Sequence, residues 1–420
     1  MLKIDKNKKV NGSTDYLGYN QSELQERGAI HTAKEISGQP KLWLDTWSLV
    51  AQDRFRLDSF LEEAYAHPDL NVLLTGAGTS AFIGDILEGP FQRNSGKSTR
   101  AVATTNLVSH PGNYFHAQVP TLLISFARSG NSPESVAAVN LADKLCQKIY
   151  HLIITCNPAG ELATLKSQNT SLVFHLPPEA DDQSLAMTGS FSSMLLAGLL
   201  ISRLAIIDEL EIQVKQLAAY GEGILSNFTA KLKEIAALNF NRAIFLGSGP
   251  LHGTARESDL KLQELTDGKI ICKHDSFLGF RHGPKAVIDA TTLLVYLFSN
   301  QAYVHQYELD LAQAISQGDK GIFRLGVIES TQKAEAVEVD WLLQLSDGNP
   351  PIDEELLAVC SVMPAQILGF FKSLDLKLKP DAPSVNDSIT RVVQGVNIYP
   401  FEVALPTNGQ HKLKKVKLNS

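Results

Sequence analysis

The chain has 420 residues, a net charge of -7, and 44% hydrophobic and 20% charged residues. That length predicts two or three domains with cores of their own, in a chain of ordinary globular composition. A mildly acidic balance without a basic patch excludes a general electrostatic pull toward nucleic acid or an anionic membrane surface, so an anionic ligand needs a local site.

In chain order, residues 1–28 are polar with interspersed Gly and Asn and read as a flexible arm available to contact a partner, free of any signal-peptide apolar segment. A first helix is expected from Thr32, because Thr32-Ala-Lys-Glu35 has capping-box spacing. Pro40 is expected to bend or restart it before Leu42–Trp47. From residue 70 onward, short apolar runs alternate with longer amphipathic stretches. Val72–Thr75, Thr121–Ser125 and His151–Thr155 read as buried strands. An apolar, helical stretch over 190–240 follows, in which Met194–Ile201 is the longest apolar run. At eight residues it falls short of the roughly 20 needed to cross a bilayer. The strand pattern then returns with Ala243–Leu246, Leu293–Phe298 and Phe323–Ile328. A repeat this long marks a duplicated domain, and the alternation predicts an α/β fold of two parallel sheets flanked by helices, with sites at the carboxyl ends of the strands. The four cysteines, Cys146, Cys156, Cys272 and Cys360, show neither zinc-like nor Cys-x-x-Cys spacing, which fits a reducing compartment and makes the cytoplasm the expected location.

Five motifs bear on chemistry. Gly76-Ala77-Gly78-Thr79-Ser80 runs from a strand into glycines and hydroxyls, which suits an anion and equally suits a plain tight turn. Ser125-Phe-Ala-Arg128-Ser129-Gly130-Asn131-Ser132-Pro133-Glu134 offers a guanidinium, hydroxyls and helix-start amides to a phosphate, although Ser132-Pro133 alone would merely cap a helix. Ala186–Ser193, with Thr188 at its mouth, reads as a third polar loop and helix start. Glu257, Lys261 and Glu264 fall on one face of a helix, as a solvated ion pair would too. His282 precedes Gly283-Pro284 on a rigid turn, placing a group that titrates near neutrality outside the apolar core.

Taken in this order, the motifs resemble the SIS (sugar isomerase) family, and in particular the isomerase half of glucosamine-6-phosphate synthase. Glu35-Ile36 with Gln39-Pro40 resembles the start of that half. Leu74-Thr-Gly-Ala-Gly-Thr-Ser-Ala-Phe-Ile-Gly-Asp85, Arg128-Ser-Gly-Asn-Ser-Pro-Glu-Ser135, Gly279-Phe-Arg-His-Gly-Pro284 and Thr390-Arg-Val-Val-Gln-Gly-Val396 resemble the bacterial galactosamine-6-phosphate deaminase/isomerase branch, whose members are also labelled tagatose-6-phosphate ketose/aldose isomerases. The resemblance covers roughly residues 33–395. It implies two tandem SIS domains, flavodoxin-like three-layer sandwiches, over 29–215 and 216–380, with the arm 1–28 before them and a tail 381–420 after them.

It also implies roles. Gly78, Thr79, Ser80, Arg128, Ser129, Asn131, Ser132 and Thr188 match the loops that take the phosphate. Glu264 matches the carboxylate that moves a proton between C1 and C2, with Lys261 and Glu257 beside it. His282 matches a ring-opening histidine supplied by the neighbouring subunit, so a homodimer with a shared site is implied. No metal or cofactor is expected, and neither nucleic acid nor membrane is an expected partner. Ala127 and Arg128 depart from the synthase's serine and glutamine. Position 2 is Leu, not the cysteine of a glutaminase domain, which makes ammonia release the expected direction. The resulting expectation is conversion of galactosamine 6-phosphate to tagatose 6-phosphate and ammonia. A plain isomerase, a glucosamine-6-phosphate deaminase and a non-enzymatic sugar-phosphate sensor are the alternatives.

Overall fold

The computed structural model describes residues 15–330, 337–346, 348, 350–393, 395–404 and 413–414. Every position of β3 (Thr121–Ala127) and β4 (Ile149–Thr155) is buried, as strands covered on both faces require. They join β1 (Asn71–Thr75), β2 (Ser98–Ala101) and β5 (Thr170–His175) in a parallel sheet of order β2-β1-β3-β4-β5. The second half repeats the plan with β6 (Arg242–Leu246), β7 (Ile271–Asp275), β8 (Thr292–Leu297), β9 (Phe323–Ser330) and β10 (Trp341–Ser346), in the parallel order β10-β9-β8-β6-β7. Each half therefore starts at its second position, steps outward once, and then builds inward. This is the doubly wound order that leaves a crevice beside the first strand.

One apolar core runs through both halves. Its centre is the helix Gly189–Ile201, buried at all 13 positions and apolar from Met194 onward, as befits a helix with no solvent face. The helices Glu354–Cys360 and Met363–Asp375 lie in the same core. Residues 354–375 are long and apolar enough, by composition, to cross a membrane, yet their apolar window is buried inside the fold. Among the described residues it is the one helical stretch of that length and composition, and Met194–Ile201 belongs to the shorter apolar helix Gly189–Ile201.

The halves meet through the helices Thr79–Ser95 and Pro250–Leu265. A Cβ on Gly253 would stand 2.5 Å from Ile86 Cγ1 and 3.0 Å from the Ile86 amide nitrogen, so the backbones touch there. Next to that contact, Arg256 Nη1 donates to Asp85 at 2.6 Å and its guanidinium lies 4.3 Å from the Phe82 ring centroid.

Three expectations change at the amino-terminal side. The capping box at Thr32 does not form, because the helix runs from Ile30 to Gln52 and begins before it. Thr32 instead donates its amide and hydroxyl to Asp381, both at 2.8 Å. Glu35 accepts from the amides of Gln183 and Ser184 at 2.6 and 3.2 Å, and from the Ser184 hydroxyl. Pro40 neither ends nor restarts the helix, which continues through it. Of the expected arm, residues 1–14 lie outside the described residues. The remainder is packed rather than free, with a short capped helix at Gln21–Glu26 and Leu24 completely buried.

Candidate active site

Both halves leave their first strand by the same turn. Gly78 lies at φ +56°, ψ -129° and Gly249 at φ +53°, ψ -128°. A Cβ on Gly76 would stand 2.5 Å from the Ser80 carbonyl, and one on Gly247 would stand 2.2 Å from the Leu251 carbonyl oxygen. Only glycine fits so close an approach. The turns then part in chemistry: Thr79 and Ser80 follow the first, Pro250 and Leu251 the second. Hydroxyls therefore open the helix after this turn in the first half and not in the second.

Those hydroxyls open onto a cavity of about 510 Å³, lined by Gly78, Thr79, Ser80, Arg128, Ser129 and Ser132 from the first half and by Lys261 and Glu264 from the second. Ser132 holds the N-cap position of the helix Pro133–Leu145, but its side chain makes no capping bond and is left for the cavity. A wider cleft of about 660 Å³ lies along edge strand β7. It has Arg242, Lys269 and Lys273 on its walls but none of the motif residues and no carboxylate, so the chemistry is placed in the smaller cavity.

The helix Pro250–Leu265 delivers its charged face across the junction. Lys261 Nζ donates to Thr79 Oγ1 at 3.0 Å and to Glu264 Oε2 at 2.5 Å, and lies 3.4 Å from Glu257 Oε1. Lys261 is 1% exposed and Glu257 0%, so this is no solvated surface pair. Burial pushes the Glu257 carboxyl up to about 8, against the opposing pull of Lys261. Burial alone would lower the Lys261 ammonium, but Glu257 and Glu264 outweigh it and hold it above its ordinary range. Glu264, 23% exposed at its side chain, lines the cavity together with Lys261, while Glu257 lies behind them off its wall.

Four of the expected residues sit elsewhere or do something else. Asn131 accepts from the Glu161 amide at 2.9 Å and stays off the cavity wall. Thr188 is fully buried, donating its amide to Asp182 at 2.7 Å, and Leu185 and Met187 represent its loop on the wall. Arg128 lines the cavity, but its guanidinium bonds to backbone carbonyls, and burial lowers it from its ordinary range. His282 is exposed on its turn and does not line the cavity of its own chain.

Residues outside the expected set also line the cavity. Thr105 and Glu134 are two of them, and the Glu134 Oε2 atom is buried without a hydrogen-bond partner. Asp387 to Val393 of the tail form a whole wall. Among the described residues no group of three or more His, Cys, Asp or Glu is placed to hold a metal ion.

A model of the SIS domain matches residues 65–204, the stretch that holds the first sheet. The D-galactosamine-6-phosphate deaminase AgaS of Shewanella sp. (strain ANA-3) is 40% identical over 383 residues, covering 90% of this chain and 94% of that one. A solved candidate tagatose-6-phosphate ketose/aldose isomerase from Clostridium novyi NT is 40% identical with a TM-score of 0.89, over 93% of this chain and 100% of that one. The tagatose-6-phosphate ketose/aldose isomerase of Escherichia coli is 36% identical with a TM-score of 0.80, over 88% and 96%. With that domain and that identity along nearly its whole length, the chain belongs to the SIS-domain family, beside the D-galactosamine-6-phosphate deaminases.

Proposed function

We propose that this protein converts galactosamine 6-phosphate and water to tagatose 6-phosphate and ammonia. The observation that carries the reading is the single cavity where phosphate-type hydroxyls of one half meet the Lys261–Glu264 pair of the other. Thr79, Ser80, Ser129 and Ser132 hold the phosphate, and so fix the reacting carbons at a set distance. With the ring opened, the C1 aldehyde acidifies the C2 proton. Glu264 removes it and returns it at C1, leaving an imine at C2. Water adds to that imine, ammonia leaves, and a C2 ketone remains. Lys261 and Glu257 position Glu264 from inside the fold. His282 of a second copy opens the ring, which its exposure on a rigid turn supports. The working unit is then a homodimer, and the four free cysteines of each copy suit a reducing cytoplasm.

Galactosamine 6-phosphate, glucosamine 6-phosphate and tagatose 6-phosphate are offered in turn, with ammonia and C2 proton exchange as readouts. Ammonia from the galacto substrate is expected. Exchange with no ammonia from either amine would leave a plain ketose/aldose isomerase, the label borne by the solved relatives. Glu264→Gln is expected to slow C2 exchange by about 10³-fold while sugar-phosphate binding changes little. Exchange at the wild-type rate would remove Glu264 from the proton transfer.

A further inference from the structure

Arg128 follows β3 directly and is 6% exposed. Nη1 donates to the carbonyls of Ser184 and Leu185, each at 3.2 Å, and Nη2 donates to the Arg391 carbonyl at 2.5 Å. These carbonyls belong to two stretches far apart in the chain, and Leu185 and Arg391 both stand on the cavity wall. Arg391 grips back. Its Nε and Nη2 donate to the Asp182 carbonyl at 2.9 and 2.6 Å, and Nη2 meets Asp181 Oδ1 at 2.7 Å. Asp182 is itself fixed, since its carboxylate accepts from the amides of Thr188 and Ser190 at the start of the helix Gly189–Ile201. A guanidinium has five N–H donors, and here three are committed to carbonyls. An arginine that grips phosphate turns its planar fork toward the anion. The Ser132 hydroxyl carries no such commitment.

We propose that Arg128 is a positioning residue, which bolts the tail wall 387–393 to the loop at 184–185 and leaves the phosphate to the hydroxyls and helix-start amides. The inference deepens the sugar-phosphate reading and rests on it. Its consequence is a wall that closes one side of the cavity and holds the sugar in one pose, at the expense of a guanidinium that could otherwise have gone to the ligand.

The full-length enzyme is compared with Arg128→Lys, which keeps the charge and loses the fork, with Arg391→Ala, which removes the return grip, and with both together. Inorganic phosphate serves as the binding probe, and hydrogen exchange of residues 385–393 reports on the wall. Each single variant should exchange faster over 385–393 and lose about 10- to 100-fold in kcat. The double variant should lose more than either single one but less than the product of their losses, because the two ties hold the same wall. Phosphate affinity should stay within about threefold in all three, whereas Ser132→Ala should weaken it about tenfold. The proposal is overturned if Arg128→Lys weakens phosphate tenfold or more while exchange over 385–393 keeps its wild-type rate, or if the two losses multiply. If inorganic phosphate fails to bind the wild-type enzyme, the sugar-phosphate reading falls, and the exchange rates still decide the role of Arg128.

Discussion

Glu35 accepts three hydrogen bonds where most of its water has been removed. Burial pushes its carboxyl up to about 7, with Asp182 adding to the rise and the bonds from Ser184 and Gln183 opposing it. A carboxyl that holds its proton more tightly when folded stabilises the fold at low pH, and that contribution is lost as pH rises from 4.5 toward about 7. Wild-type stability to urea should therefore fall across that window, on the order of 1–3 kcal/mol from this group. Glu35→Gln should flatten the fall, and identical slopes in the two proteins would mean that Glu35 does not titrate there. The sequence shows Glu35 only as a partner for Thr32 three residues away. Its actual partners, Gln183 and Ser184, stand nearly 150 positions further on. Thr79, Ser80, Ser129, Ser132, Lys261 and Glu264 were readable because strand-loop-helix patterns bracket them. Thr105 was not, since it stands in no pattern that marks it for a ligand, and Glu134 was not, since a carboxylate closing the Ser125–Glu134 motif is no donor to a phosphate.

The six strands nearest the centres of the two sheets were legible as apolar runs, and the four at the edges were not. β2, β5, β7 and β10 each carry exposed or half-buried positions, so no continuous apolar run betrays them. The tail was opaque for a different reason. Residues 381–393 follow neither a period of two nor one of 3.6, and their place depends on Thr32, Asp181 and Asp182, all distant in sequence. The helix pair at the junction makes a sharper prediction. Lys261 reaches Thr79 only because Gly253 lets its helix lie against Ile86. Gly253→Ala adds a Cβ against a backbone nitrogen that cannot rotate away, an overpacking that typically costs about 1–3 kcal/mol. The expected result is a lower midpoint of thermal unfolding together with a drop in kcat. A variant with wild-type turnover would show that the Lys261–Thr79 contact tolerates the helices moving apart.

Two halves with one strand order have kept one backbone turn and divided the chemistry between them. The first half supplies hydroxyls at its Gly78 turn, the second supplies Lys261 and Glu264 from the helix behind its Gly249 turn, and neither holds a complete site. The division extends one step further if His282 serves a neighbouring copy, because it is exposed and does not line the cavity of its own chain. That arrangement can be tested without knowing the interface. His282→Asn lacks the ring-opening group and Glu264→Gln lacks the base, so each alone should be nearly inactive. In a symmetric dimer, one site of every mixed pair takes Glu264 from one copy and His282 from the other, and is whole. Unfolding and refolding the two inactive proteins together in equal amounts should restore about a quarter of wild-type activity, since half of the random pairs are mixed and each has one whole site. Mixing without exchange of subunits should restore none. If co-refolded samples that contain mixed pairs stay inactive, His282 acts within its own chain or not at all, and the shared site is wrong.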